Sequence, residues 1–338
     1  MRRFAVLVVL ALLMGACDPG MPQTAAQTPA MDGTALDATA AELAERAAPA
    51  RLGAAFLNLE SGEVWAFRGS EAFPMQSVFK APLAAVVLDR VDAGDLALGD
   101  TVTLTDEDLS PPFSPVAEAY PGRNTYTVEE LIVLAAGRSD NTAADVLMRM
   151  VGGPGAVTAW LRSHGIEHMR VDRYERQLQV ESVGMDSFRP DWRGSAAFRE
   201  ALNATPPLER QAATAEYLRD PQDTTTPRAA LLFLSKLSAG ELLSPASTER
   251  LLQIMTESPS GPNRLIAGLP DGARLAHKTG TGRRDLGVTS AVGDIGIVTL
   301  PDGRRYAIAV FLAGVTLPEA EYEAVFADFA RAAVSAAR

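Results

Sequence analysis

The chain has 338 residues, 47% of them apolar and 22% charged, with a formal net charge of −11. That length supports one large domain or two smaller ones sharing a core, and the composition is that of a soluble globular protein. The acidic balance argues against nucleic acid as a partner, since phosphate binding needs a basic surface; an anionic small molecule would need a locally cationic pocket.

Arg2 and Arg3 precede an apolar run from Phe4 to Met14, followed by Gly15, Ala16 and Cys17. A basic start, a short apolar run and small residues read as a secretory signal over residues 1–17, and the run is too short to span a bilayer as a mature helix. Cys17 is the only cysteine, so no internal disulfide can form. Its place resembles a bacterial lipobox, with Met14 where Leu is usual. Lipidation there would tether the protein to a membrane; the alternative is a cleaved, soluble periplasmic protein. Residues 18–36, rich in Pro, Ala, Thr and Gln and without period, read as a flexible linker.

Residues 37–50 read as a helix starting near Asp37. "LGAAFLNLE" and "EVWAFRGS" follow as two strands joined by Ser61-Gly62, a hairpin signal. Toward the other end, "GVTSAVGDIGIVTL" and "RYAIAVFLAG" are strand-like, separated by Pro301-Asp302-Gly303, and residues 317–337 form a last helix. Helix-strand-strand at one end and strand-strand-helix at the other predict a single antiparallel sheet covered by terminal helices. The chain then divides into an α/β domain from 37–76 and 256–338, and an inserted all-α domain over 77–255. Within the latter, Thr127 with Glu130 three residues on is a capping box, and Pro227 suits the first turn of a helix.

Ser77 and Lys80 in "FPMQSVFKAPLAAVVLDRV" stand three apart where an apolar helix begins, so they share a face. Ser139-Asp140-Asn141 lies between two helical runs, and Lys278-Thr279-Gly280 on or just before a strand. A serine hydroxyl is a poor nucleophile until a base takes its proton. A buried lysine near a second cation has a lowered pKa and can be that base; Lys278 is a candidate for the second cation beside Lys80. A helix N-terminus under Ser77 adds favourable charge where an oxyanion forms. Pro82, so near the helix start, removes a backbone donor and predicts a local distortion.

S-x-x-K, S-D-N and K-T-G in this order, behind a signal, resemble the motif set of class A β-lactamases and penicillin-binding proteins. "DRYERQLQ" adds Glu175, similar to the glutamate of the class A Ω-loop that activates water for hydrolysis of the acyl-enzyme. Asp145 resembles the A2 subgroup, which has Asp where Asn is commoner. Phe113 resembles the aromatic residue at the cleft mouth, Arg264 the arginine that supports carboxylate binding, and Asp223 the partner of the Ω-loop arginine, here Arg173. The resemblance covers residues 37–338. It implies the β-lactamase/transpeptidase-like fold, a five-stranded sheet, a monomer, and hydrolysis of β-lactam antibiotics, hence resistance. No metal or organic cofactor is implied. Ser77 would be nucleophile, with Lys80 or Glu175 as its base. Ser139 and Lys278 would serve the leaving nitrogen. Asn141, Thr279, Gly280, Thr281, Arg264, Phe113 and Gln179 would meet the substrate or the water. The rivals are a penicillin-binding D,D-peptidase, which lacks the deacylating carboxylate, and a non-catalytic penicillin sensor.

Two departures stand out. Gln179 replaces the family's usual asparagine, with its amide one methylene further out. The span from Glu175 to Lys278 is longer than the family's by about 35 residues, with the excess at about 180–222. "WRGSAAFREAL" and "PPLERQAATAEYL" there are helix-like, predicting a small helical flap beside the cleft. Were Glu175 not the carboxylate, Glu200 or Glu209 would be next. His164 and His168, with Gly165 between them and no third ligand nearby, do not make a zinc site.

Overall fold

The structure, a computed structural model, describes residues 30–337. The signal, Cys17 and the linker as far as residue 29 lie outside the described residues. Helix α1 (Gly33–Ala47) begins four residues before the expected start and takes over the end of the expected linker. The reason is its cap: Asp32, not Asp37, accepts from the backbone N–H of Ala35. Asp37 instead lies inside the helix and accepts from the Trp65 indole at 2.9 Å.

Strands β1 (Arg51–Asn58) and β2 (Val64–Phe67) form the expected hairpin, with Gly62 at a positive φ in the turn. The later strands are β3 (Arg274–Thr281), β4 (Arg284–Asp285), β5 (Val288–Thr299) and β6 (Arg305–Val315). The sheet order is β2-β1-β6-β5-β3, antiparallel throughout, with β1 and β6 from opposite ends of the chain side by side (Ala55 opposite Ala309). The two-residue β4 pairs with β5 and makes a sixth strand beyond the five expected.

Side chains alternate between the two faces of a strand. Ala54 and Phe56 of β1 therefore join α1 and the C-terminal helix (Glu319–Ala336) in one apolar cluster, while Ala55 and Leu57 join the helical layer in another. With both faces covered, the central strands are apolar almost continuously, as β6 shows. On the second face lies α2 (Lys80–Asp92), buried from Lys80 through Leu88 and apolar all round from Ala81 to Leu88, before the charged last turn.

Ser77 is not in the first turn of α2. It sits in a 3₁₀ turn, Gln76–Phe79, that leads into the helix. Pro82, third residue of α2, offers no N–H to the carbonyl of Val78, which accounts for a tighter entry. The capping box at Thr127 and Glu130 is present, but that helix (Val128–Ile132) opens into a π turn, Val133–Gly137, immediately before the Ser139 loop. Helix α3 (Asn141–Met150) follows. Beyond α4 (Glu175–Glu181), the extra stretch folds as α5 (Ser195–Ala204) and α6 (Pro207–Tyr217), and α5 packs through Phe198 and Leu202 into a small apolar cluster with Phe188 and Val180.

Candidate active site

Two backbone features bring the serine and the terminal strand together. Gln76, just before Ser77, has φ +46°. Gly280 of β3 passes so close to this turn that a Cβ there would lie 2.4 Å from the Met75 carbonyl oxygen and 3.2 Å from the Ser77 nitrogen. Only glycine fits, and Lys278, Thr279 and Thr281 are thereby aligned along the serine's turn. On the other side, Asp140 caps α3. Its buried carboxylate accepts from Ser114 Oγ and the N–H groups of Val116 and Ala143, which fixes the loop. Ser139, at φ +64°, and Asn141 flank it at the cleft.

The motif residues converge. Lys80 Nζ donates to Ser77 Oγ at 3.0 Å, to the Ser139 carbonyl at 2.9 Å and to Asn141 Oδ1 at 2.6 Å, and it lies 2.9 Å from Glu175 Oε1. Ser77 Oγ donates to that same Oε1 at 3.4 Å. Lys278 Nζ donates to Ser139 Oγ at 3.0 Å and to the Thr279 carbonyl at 2.7 Å. Lys80, Lys278 and Glu175 are all fully buried. Burial, and then the Lys80 ammonium, hold the Lys278 pKa well below the ordinary lysine value. A hydroxyl touching both an ammonium and a carboxylate can give up its proton while attacking, and a second hydroxyl beside a weakened ammonium can pass one on.

Glu175 opens α4, and Asp145 of α3 serves this helix start from below. Its Oδ1 accepts from the Glu175 N–H at 2.6 Å and its Oδ2 from the Arg176 N–H at 2.8 Å and from Ser110 Oγ at 2.7 Å. Burial raises the Asp145 carboxyl to about 7 against these donors, with the Glu175 charge adding to the rise. Arg173, just upstream, pairs with Asp223 at 2.6 Å and Asp220 at 3.0 Å. Burial opposes the Arg173 charge, and the Asp223 bond and charge overcome it, leaving that guanidinium's pKa raised. Asp223 Oδ1 also accepts from the N–H groups of Asp172 and Arg173. Glu200 and Glu209 line a separate depression between the extra helices and the segment that precedes them, and not the serine's cleft. Gln179 is not too long for its place: its Nε2 donates to Glu175 Oε2 at 2.8 Å.

The cleft holds about 510 Å³. Phe113, 58% exposed, stands in its wall, and its carbonyl accepts from the Asn141 N–H. Thr279 and Thr281 line the cleft, and Thr279 Oγ1 donates to Ser260 Oγ at 2.9 Å. Arg264 lies behind the strand. It pairs with buried Glu323 and donates to Thr281 Oγ1 at 2.8 Å and to the Gly280 carbonyl at 3.3 Å.

Further residues of the site carry little or no signal in the sequence. Ser260, Ser195 and Arg283 also line the cleft. The Arg283 guanidinium packs 4.5 Å over Phe198 of α5, and burial followed by the Arg199 charge lowers its pKa. Gln76 lies beneath, facing Gln179. Only Gln76 carried a signal, its place directly before the serine.

Sequence and structure comparisons agree with this geometry. The family described as "Beta-lactamase enzyme family" matches residues 35–337. The chain is 29% identical over 289 residues to the beta-lactamase VEB-1 of Pseudomonas aeruginosa, covering 85% of each. It is 33% identical over 265 residues to the extended-spectrum beta-lactamase PER-1 of the same species, covering 78% of this chain and 75% of that one. Among solved structures, a beta-lactamase from Chitinophaga pinensis superposes with a TM-score of 0.73 at 33% identity, over 90% of this chain and 99% of the other. A class A beta-lactamase described as that of the last common ancestor of Gram-negative bacteria gives 0.72 at 37% identity, over 89% and 99%. With the match running almost the whole length of the described chain and the motif residues meeting in one cleft, the protein belongs to the beta-lactamase enzyme family, as a class A serine β-lactamase.

Proposed function

We propose that this cleft hydrolyses β-lactam antibiotics through an ester on Ser77, and that each group described above has one part in the two half-reactions. The observation that carries the proposal is the contact of one hydroxyl, Ser77 Oγ, with both Lys80 Nζ and Glu175 Oε1.

In acylation, Ser77 Oγ attacks the lactam carbonyl carbon while its proton passes to Glu175 through a water, or to Lys80 once that side chain has given a proton to Glu175, 2.9 Å away. The carbonyl oxygen becomes an oxyanion held by the backbone N–H groups of Ser77 and Thr281. The C–N bond then breaks, and Ser139 Oγ gives the leaving nitrogen its proton and takes in its place the proton that left Ser77, assisted by the Lys278 ammonium 3.0 Å away. Asn141 holds the acyl side-chain amide, and Phe113 flanks it. Thr279, Thr281 and Gly280, with Arg264 behind them, supply the donors for the substrate carboxylate. In deacylation, Glu175 takes a proton from a water positioned by Gln179. The resulting hydroxide attacks the ester carbon, the C–O bond to Ser77 breaks, and Ser77 recovers a proton. Asp145, in place of the commoner asparagine, supports the A2 subgroup. The signal and lipobox resemblance support a periplasmic monomer tethered through Cys17; an unmodified mature N-terminus in the mass spectrum would refute the tether.

Replacement of Glu175 separates the half-reactions. Glu175→Ala is expected to accumulate an acyl-enzyme adduct, visible by mass spectrometry, with deacylation slowed by about a hundred- to ten-thousand-fold. Unchanged turnover of a chromogenic cephalosporin would place the general base elsewhere. Stoichiometric acylation without turnover by the unmodified protein would favour a penicillin-binding D,D-peptidase.

A further inference from the structure

The carboxylate at the centre of the site is joined to the extra helices by an unbroken line of side-chain contacts. Gln179 Nε2 donates to Glu175 Oε2 at 2.8 Å and faces Gln76 Oε1 at 3.4 Å. Gln76 Nε2 in turn donates to Tyr217 Oη at 2.6 Å. Tyr217 is the last residue of α6, within the additional stretch, and is separated from Gln76 by 141 positions. Gln76, Gln179 and Tyr217 are all buried.

We infer that Tyr217 is a positioning residue for deacylation: by anchoring Gln76 it holds the Gln179 amide with its N–H face against the Glu175 carboxylate. The inference rests on the reading of Glu175 as the group that activates water.

The polarity of the line follows from its end groups. An ionised carboxylate only accepts, so the Gln179 NH₂ must face it. That leaves the second Gln179 N–H for an acceptor, which Gln76 Oε1 provides. The Gln76 NH₂ then needs an acceptor of its own, and at this buried position the phenol oxygen provides it. Burial pushes the Tyr217 phenol well above its ordinary pKa, so it stays neutral and available.

The same line explains why a glutamine works where an asparagine is usual. Its additional methylene gives the amide more freedom, and Gln76 takes up that freedom from the far side. The phenol is itself set by its surroundings. The Arg173 guanidinium lies 5.9 Å from its ring, and α6 rests on the segment after α4, where Thr214 Oγ1 donates to the Ser182 carbonyl at 3.3 Å. The inserted helices thus reach the reacting groups through a phenol and two amides, without Tyr217 itself lining the cleft.

Tyr217→Phe keeps the ring and removes the acceptor, leaving the Gln76 NH₂ buried without a partner. The test measures acylation and deacylation rates separately, with a chromogenic cephalosporin and the full chain, alongside the thermal midpoint. Acylation is expected to stay within about twofold while deacylation slows by about five- to thirtyfold. In a Gln179→Asn background the 3.4 Å contact to Gln76 is expected to be lost with the shorter amide, so adding Tyr217→Phe should change deacylation by less than about twofold. The inference fails if folded Tyr217→Phe deacylates normally. It also fails if acylation drops as much as deacylation, or if the loss is equal in the Gln179→Asn background. A merely structural role for the ring would give one of those last two results. If Tyr217→Phe does not fold, Gln76→Met interrupts the same line and is judged by the same rates. Absence of turnover by the unmodified enzyme, or turnover by Ser77→Ala, would instead overturn the hydrolytic reading itself.

Discussion

Ser77, Lys80 and Lys278 stand on elements sunk in the apolar layers, whereas Glu175 stands on a seven-residue helix whose ties are mostly polar. The first group is fixed by α2, buried along nine residues, and by β3, held in register against β5. The second depends on Asp145 beneath its N-terminus, on the Arg173–Asp223 pair and on the small cluster around Phe188 and Phe198. Apolar packing is insensitive to protonation and tolerates the loss of any single polar contact. A segment held by a few buried polar groups loses much of its definition with one substitution. On the roles proposed above, the deacylating carboxylate therefore has a different structural foundation from the serine and the lysines, and deacylation can be disturbed while acylation persists.

The strongest way to break this contrast is Asp223→Asn. It weakens the shortest of the three ion pairs that hold buried Arg173, leaving those to Asp220 and Glu181, and is expected to cost about 3 kcal/mol in denaturant unfolding. In the protein that remains folded, deacylation should slow while acylation continues; a parallel fall in both rates would erase the distinction between the halves. A smaller effect is expected at Asp145. The folded carboxyl holds its proton up to about 7, and the unfolded one loses it near 3.8. Between those values the folded state binds more protons, so this group's contribution to stability falls as pH rises. Asp145→Asn removes that slope. The unfolding free energy of the native protein minus that of the variant should decline through the window and level off above it. A difference that stays constant with pH would show that Asp145 is already ionised throughout. The mildest change is Arg210→Gln, which cuts the 2.9 Å tie from α6 to Asp285 of β4. About 1–2 kcal/mol of stability is expected to be lost, with acylation untouched. A slowed acylation would mean that the extra helices also brace the serine's side of the cleft.

The serine, both lysines and the Ser139 loop were legible in the sequence because their chemistry comes as short motifs, each set by one local turn. The sheet was legible from the apolar strands at the two ends and their turn residues. Other features depend on contacts no local pattern encodes. Asp32 and Asp37 are equivalent as helix starters on paper, and only the bond to Ala35 decides between them. A strand as short as Arg284–Asp285 has too few residues for a period. Asp145 was matched to a subgroup, yet its work is to hold the backbone of a helix thirty positions later. The extra helices were readable as helices, but their reach to Glu175 through Tyr217 and Gln76 was not, because that path joins segments 141 positions apart.

Gly280 has a temporal consequence. The turn that presents the serine is completed by a strand near the far end of the chain, whose backbone fits against Met75 with no room for a side chain. During synthesis, the nucleophile therefore emerges long before the wall that sets it. Chains truncated ahead of residue 274 are expected to show no labelling by a fluorescent penicillin, and reactivity should appear only in chains long enough to include β5 and β6, which hold β3 in the sheet.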